Sequence, residues 1–265
     1  MTPRGAVACD VDGVVWLSGS PLPGAVEGLE LLRSSGFEVW FVTNNSSMTH
    51  ESLDLRFRRA GIETGGRLLT SSDAAATMLR AGDSVLVGGE DGVLEALALR
   101  GCDSVRIEDV LSGSDRSWFD AVVVGIHRSF DYGGLSLMSR HIRAGSRFIA
   151  TNDDPSYPSP DGLLPGGGSI VAAVAAAAGR PAEVAGKPHP AMVSVLRERL
   201  GGAAPPWVIG DRASTDGAFA AALGSRFVLV SSDVEDDAEE VDRTSVASLL
   251  EAAQVIVAQG MVHRP

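Results

Sequence analysis

Residues 6–13 read Ala6-Val7-Ala8-Cys9-Asp10-Val11-Asp12-Gly13, a short apolar run of β-type that ends in two acidic residues and a glycine. Downstream, Val26, Leu29 and Leu32 recur at helical spacing within Gly24 to Ser35, and Gly36 supplies a stop signal. Phe37 to Val42 is a continuous apolar run, the pattern of a strand buried on both faces in a parallel sheet. A polar loop, Thr43-Asn44-Asn45-Ser46-Ser47, leads to a helix predicted over Glu51 to Ala60 and ended by Gly61. Strand, helix, strand, helix predicts an α/β fold built on a doubly wound parallel sheet.

The same rhythm returns near the other end. Helices are predicted at Ala191 to Leu200, Asp216 to Leu223 and Ser245 to Ala258, with strands at Trp207 to Gly210 and Arg226 to Val230. The acidic run Asp233 to Glu240 reads as a solvated loop. The middle carries its own alternation: strands at Ser84 to Val87, Ala121 to Val124 and Phe148 to Ala150, and helices at Gly92 to Leu99, Gly133 to Ala144 and Ser169 to Ala178. Pro155 to Gly168, rich in Gly, Pro and Ser, reads as a loop. The middle is therefore expected to be an α/β domain inserted into the first. The boundaries are 1–73 plus 186–265 for the discontinuous core and 74–185 for the insertion.

The chain has 265 residues and a net charge of −12. Nucleic acid and anionic membrane surfaces are not expected as partners, because both call for basic patches. An anionic substrate would need positive potential supplied locally, by a metal, a lysine or helix N-termini. Cys9 and Cys102 form no metal or CxxC pattern, and Cys9 reads as a packed free thiol. No signal-peptide or membrane-spanning run is seen, so a cytoplasmic location is expected. The 22 basic residues are 21 arginines and one lysine, Lys187, and asparagine occurs only at Asn44, Asn45 and Asn152. A composition that avoids Lys and Asn everywhere else singles these positions out.

Asp10 and Asp12, two apart at a strand end, put both carboxylates on one face. They suit a hard cation, or a division of nucleophile and acid–base roles, although alone they also read as a polar turn. Thr43 and Asn44 end the next strand, where hydroxyl, amide and free N–H groups make either an anion cradle or a helix cap. Lys187 lies in Ala185-Gly186-Lys187-Pro188-His189-Pro190. A compact ammonium in a rigid Gly/Pro loop suits a point contact to phosphate and carboxylate, a role arginine does not reproduce. In Gly210-Asp211-Arg212-Ala213-Ser214-Thr215-Asp216, Asp211 is placed to join Asp10 around a cation, and Asp216 to cap a helix and support the metal site.

These four stretches, in this order, resemble the haloacid dehalogenase superfamily over nearly the whole chain. The middle resembles the C2-type cap of its subfamily IIA, which holds 4-nitrophenyl phosphatases, phosphoglycolate and pyridoxal phosphatases and NagD-type enzymes. The matching stretches are Val122-Val123-Val124-Gly125, Phe130-Asp131-Tyr132, Ala150-Thr151-Asn152-Asp153 and Pro165-Gly166-Gly167-Gly168-Ser169. The resemblance implies a Rossmann-like core with an inserted α/β cap, and a Mg²⁺-dependent phosphatase acting on small phosphate monoesters through an aspartyl-phosphate. It implies Asp10 as nucleophile and metal ligand. Asp12 would be the acid–base group, touching the metal through its carbonyl. Thr43 and the Asn44 backbone would hold the phosphoryl oxygens, with Asn45 and Asn152 also expected at phosphate or substrate. Lys187 would neutralise charge, and Asp211 would complete the Mg²⁺ site with Asp216 behind it. The resemblance also allows a homodimer through the cap, since caps of this kind can mediate dimers.

The chain departs from the family's pattern at Ile126-His127, where an acidic residue is more usual after Val-Gly-x. Three further positions carry alternatives. His127 reads as substrate-facing or as a surface residue, and His189 as a loop residue. Trp16 and Leu17 line the leaving-group pocket or pack under the cap. Competing functions are a phosphomutase on the same core, a dehalogenase, a receiver-type signalling domain and a catalytically silent phosphate-binding protein.

Overall fold

The computed structural model describes residues 4–17, 19–113, 116–159, 161–231 and 242–262. Six parallel strands form one sheet in the order Arg243–Val246, Arg226–Val230, Trp207–Gly210, Gly5–Cys9, Phe37–Thr43, Leu68–Thr70. From Gly5–Cys9 the chain winds outward on one side to Phe37–Thr43, and it later returns on the other side at Trp207–Gly210. The winding direction thus reverses at the strand that ends in Asp10. A crevice opens at such a reversal, beyond the carboxyl ends of the strands.

Alternation along these strands feeds two cores. Val7, Cys9, Phe41, Ile209 and Val228 point into a cluster with Leu29, Leu32, Ala253 and Ile256 from helices Ala25–Ser34 and Leu249–Val262. Ala8, Val42, Val208 and Phe227 point the other way, onto Ala75, Met192, Leu196 and Phe219. Burial on both faces is why these strands read as continuous apolar runs.

A second sheet, also parallel, has the order Glu183–Val184, Arg147–Ala150, Ala121–Val124, Ser84–Gly88, Asp103–Arg106. Helices Tyr132–Arg143 and Gly167–Ala178 cover one face through Leu137, Met138, Ile142 and Val174. Val85, Val87 and Val123 on its other face share one apolar cluster with Ala8 and Val42 of the first sheet, through helices Ser71–Thr77, Asp91–Arg100 and Pro190–Arg199. The two sheets are therefore joined by packing as well as by chain crossings. The expected boundary at 73/74 falls inside helix Ser71–Thr77, which a capping box between Thr70 and Asp73 begins.

Three readings are corrected. Within Pro155 to Gly168 lies an antiparallel hairpin, Ser156–Ser159 with Gly162–Pro165, and the following helix begins at Gly167. The prolines and glycines there suggested a loop, but an isolated two-stranded ribbon has free edges on which Pro158 and Pro165 are tolerated. The segment predicted as helix from Asp216 starts earlier, as a π-helical turn over Ala213–Gly217, and becomes α-helical over Ala218–Leu223. Ser245 and Val246 belong to the edge strand Arg243–Val246, and the last helix starts at Leu249. The acidic run 233–240 lies outside the described residues. No helix among the described residues is long and apolar enough to cross a membrane.

Candidate active site

The carboxyl ends of neighbouring strands deliver the site. Asp10 follows Gly5–Cys9, Thr43 closes Phe37–Thr43, and Asp211 follows Trp207–Gly210. Lys187 arrives from the second sheet's edge strand Glu183–Val184 through a loop whose Lys187–Pro188 bond is cis. Asp10, Asp12, Thr43, Asn44, Asn45, Asn152, Lys187, Asp211 and Asp216 all line one small cavity of about 90 Å³.

Lys187 is the electrostatic centre. Its side chain is 3% exposed, and Nζ donates to Asp10 Oδ1 at 2.6 Å and to Asp216 Oδ1 at 2.7 Å. Burial works against the ammonium, but Asp10 and Asp216 outweigh it and hold the group above its ordinary range. The Asp10 carboxyl is pushed well up by burial and by the neighbouring Asp216, with Lys187 opposing. The second oxygen of Asp216 accepts from the backbone N–H groups of Asp211 and Arg212, each at 3.2 Å. That pair of bonds wraps the π-helical turn around the carboxylate.

Asp10, Asp211 and Asp216 each offer an oxygen within 4.8 Å of the others. Three carboxylates against one ammonium leave two negative charges, the complement of a hard divalent cation that takes oxygen ligands. Gly13, at φ +89°, leaves room beside them: a Cβ there would overlap the Asp211 carboxylate. Both Asp216 oxygens are engaged, Oδ1 by Lys187 and Oδ2 by the backbone of Asp211 and Arg212. The donor set fits Mg²⁺.

The rare asparagines wire the site together. Asn44 Oδ1 accepts from Lys187 N at 2.8 Å, and Nδ2 donates to Lys187 O at 3.1 Å and to Asp154 Oδ2 at 2.9 Å. Asn152 Nδ2 donates to Asn44 O at 2.8 Å, and its Oδ1 accepts from Asp154 N at 3.2 Å. The Asn152 Nδ2 group thus fastens the second sheet's loop to the first sheet, while Oδ1 holds the turn of that loop at Asp154. Asn45 Oδ1 accepts from Ser47 N and Oγ, and Asn45 N donates to Thr43 Oγ1 at 3.0 Å. Asp12 is pushed up by burial, while hydrogen bonds from Trp16 and Asn45 pull it back.

The histidines lie elsewhere. His127 is buried in the second sheet's layer, with Nε2 2.6 Å from Glu108 Oε1, and is neither substrate-facing nor on the surface. His189 pairs with Asp153 at 2.9 Å beside the Lys187 loop. Trp16 is buried in the core, and Leu17 lines a neighbouring cavity of about 490 Å³. Asp154, Arg128, Arg212 and Tyr157, for which the sequence suggested no individual role, also line the active cavity, as does Ile126, where the chain departs from the family's pattern. The signal for Asp154 was present, as the second of two acids directly after the rare Asn152. Burial raises its carboxyl, with Asn44 opposing.

Comparison with known proteins agrees with this geometry. The family model for haloacid dehalogenase-like hydrolases matches residues 7–103, and a HAD-hydrolase-like model matches residues 184–253. The chain is 33% identical over 244 residues to a dihydroxyacetone phosphatase of Corynebacterium glutamicum, covering 90% of this chain and 85% of that one. Its structure is similar to a glycerol phosphate phosphatase from Mycobacterium tuberculosis in complex with magnesium, with TM-score 0.82, 32% identity, and 96% and 79% of the two chains covered. It is also similar to the p-nitrophenyl phosphatase from Archaeoglobus fulgidus, with TM-score 0.83, 29% identity, and 96% and 99% covered. The chain belongs to the haloacid dehalogenase-like hydrolase family. Within that family it falls in the 4-nitrophenyl phosphatase-like subfamily, and its class is phosphoric monoester hydrolase.

Proposed function

We propose that this chain hydrolyses small phosphate monoesters of three-carbon alcohols, with Asp10 as the group that carries the phosphoryl intermediate. The observation that carries the reading is Lys187 Nζ set between Asp10 and Asp216, in a small cavity that also exposes Asp12 and Thr43. An oxygen of Asp10 attacks phosphorus, the ester P–O bond breaks, and Asp12 delivers a proton to the departing alcohol oxygen. Asp12, now a carboxylate, takes a proton from water as that water attacks the aspartyl-phosphate, releasing inorganic phosphate and restoring Asp10. Thr43 and the backbone at Asn44 stand at the strand end where the phosphoryl oxygens would be held. Lys187 offsets charge on nucleophile and phosphate, and Asn44 holds its loop in place. When bound between Asp10 and Asp211, Mg²⁺ would neutralise charge on the phosphoryl group, with Asp216 supporting the site from behind.

The second sheet acts as a cap. Its loops bring Ile126, Arg128, Asp154 and Tyr157 to the cavity wall, and the cavity volume suits a leaving group of a few heavy atoms. The names of the similar proteins, a dihydroxyacetone phosphatase and a glycerol phosphate phosphatase, support the three-carbon class.

The test is phosphate release from glycerol 3-phosphate, dihydroxyacetone phosphate, 2-phosphoglycolate and 4-nitrophenyl phosphate. Each is run with Mg²⁺, with EDTA, and with Asp10→Asn. Turnover that needs Mg²⁺ and is lost in Asp10→Asn is expected, with the three-carbon esters leading the alkyl substrates. Undiminished turnover by Asp10→Asn would overturn the mechanism. A preference for 2-phosphoglycolate would overturn the substrate class.

A further inference from the structure

Trp16 lies just past Asp12 in a segment that closes tightly on itself. Trp16 N donates to Val11 O at 3.2 Å, and Gly13 N donates to Trp16 O at 2.9 Å. The Trp16 side chain is buried, with its ring centroid 4.3 Å from that of Phe57 and the Arg56 guanidinium 6.0 Å above it. Arg56 and Phe57 are consecutive on helix His50–Arg59, so that helix fixes the plane of the indole. From this position Nε1–H donates to Asp12 Oδ1 at 3.0 Å. Trp16 does not line the active cavity, whereas Asp12 and Thr43 do. The indole therefore reaches Asp12 from the core side, and the other oxygen, Oδ2, is on the Thr43 side, where the Thr43 hydroxyl donates to the carboxylate at 3.5 Å and can turn to accept from a protonated Oδ2, which an indole N–H cannot do.

We propose that Trp16 is a positioning residue that assigns different tasks to the two oxygens of Asp12. The inference rests on the reading of Asp12 as the acid–base group. An N–H donor on Oδ1 makes that oxygen an acceptor, so a protonated Asp12 carries its proton on Oδ2. When the ester P–O bond breaks and the new P–O bond to Asp10 forms, that Oδ2 proton passes to the leaving alkoxide oxygen. The resulting carboxylate keeps the Trp16 bond on Oδ1 and accepts the water's proton on Oδ2. Without the indole N–H, Oδ1 loses its donor, and the carboxyl, still held by Thr43 and Asn45, can place its proton on either oxygen. Proton delivery then loses its pre-set geometry, on which catalysis of this kind depends.

Leaving groups that need the proton should feel the loss most. The ratio of kcat/KM for glycerol 3-phosphate to that for 4-nitrophenyl phosphate isolates it, because 4-nitrophenolate departs unprotonated. kcat/KM covers only the steps up to leaving-group departure. The variants are Trp16→Phe and, to keep the packing against Phe57, Trp16 replaced by 3-benzothienylalanine, a ring of the same shape with no N–H. Both should lower the ratio roughly tenfold or more, as partial loss of a proton-transfer contribution of about 10²–10⁴ implies. A structural role alone would lower both substrates together, and an unchanged ratio in the benzothienyl variant would overturn the inference. Asp12→Asn serves as the reference. If it lowers the ratio and the Trp16 variants do not, Trp16 has no positioning role. If Asp12→Asn itself leaves the ratio unchanged, the acid–base reading falls and the inference falls with it.

Discussion

Lys187→Met should convert the site from a balanced cluster into a cluster of uncompensated carboxylates. Lys187 Nζ lies 2.6 Å from Asp10 and 2.7 Å from Asp216, and its side chain is 3% exposed, so water cannot replace it cheaply. Removing one partner of a buried ion pair costs about 3–5 kcal/mol, and two carboxylates depend on this one ammonium, which points to the upper half of that range. With a urea m-value of about 3 kcal/mol per M, the unfolding midpoint of the metal-free protein should fall by roughly 1.3–1.7 M. The four tryptophans give a fluorescence readout of the transition. A divalent cation among Asp10, Asp211 and Asp216 replaces part of the lost positive charge, so millimolar Mg²⁺ should recover much of the midpoint. Turnover should fall by roughly 10²–10³ whether or not Mg²⁺ restores stability, because the point charge on the phosphoryl group is gone. A metal-free Lys187→Met midpoint equal to that of the wild type would refute the argument. It would mean that the carboxylates already shed their charge by protonation and that Lys187 balances nothing.

Gly13→Ala should weaken Mg²⁺ activation by at least about tenfold, because its Cβ would displace the Asp211 carboxylate and a shifted ligand or supporting group typically costs 10–100-fold in metal affinity; Mg²⁺ titration of initial rates checks this, and an unchanged half-saturation would count against Asp211 as a ligand. The His50–Asp73 pair at 2.9 Å should make stability depend on pH away from the active site. The Asp73 bond raises His50 above its ordinary value, so its contribution is full below about pH 6.5 and is lost as pH rises through the folded-state value. Burial pushes the Asp73 carboxyl up, but the His50 and Thr70 hydrogen bonds win and hold it down, so its share is lost only in acid. His50→Gln should therefore destabilise more at pH 5.5 than at pH 8.5 in urea melts, and an equal loss at both pH values would remove the charged pair from the account.

How much was legible in the sequence depended on the kind of information each feature carries. The strand ends bearing Asp10, Thr43 and Asp211 could be read directly, because parallel strands buried on both faces appear as unbroken apolar runs and their polar ends stand out against them. Lys187 could be read for a different reason, as the sole lysine of the chain. Two of the rare asparagines carry a second task that the sequence did not show. Asn44 and Asn152 were expected at phosphate or substrate, and both line the cavity, while their side-chain amides join Lys187, Asp154 and the Asn44 backbone.

The sequence by itself determined the α/β alternation, the doubly wound sheet, the insertion of a second sheet between the halves of the first, and the carboxylates and lysine that meet at the sheet's edge. Those features are local: each is a periodicity of about six to twelve residues with a polar terminus. Only the tertiary structure decided that Asn44 clasps a loop 143 residues away, that Asp154 enters the cavity, that Trp16 bonds to Asp12, and that His127 is buried against Glu108 instead of facing substrate. Periodicity states which face of an element is buried, but not which distant group meets a given side chain there. Hydrogen bonds between groups far apart in the chain are set by the register in which whole elements pack.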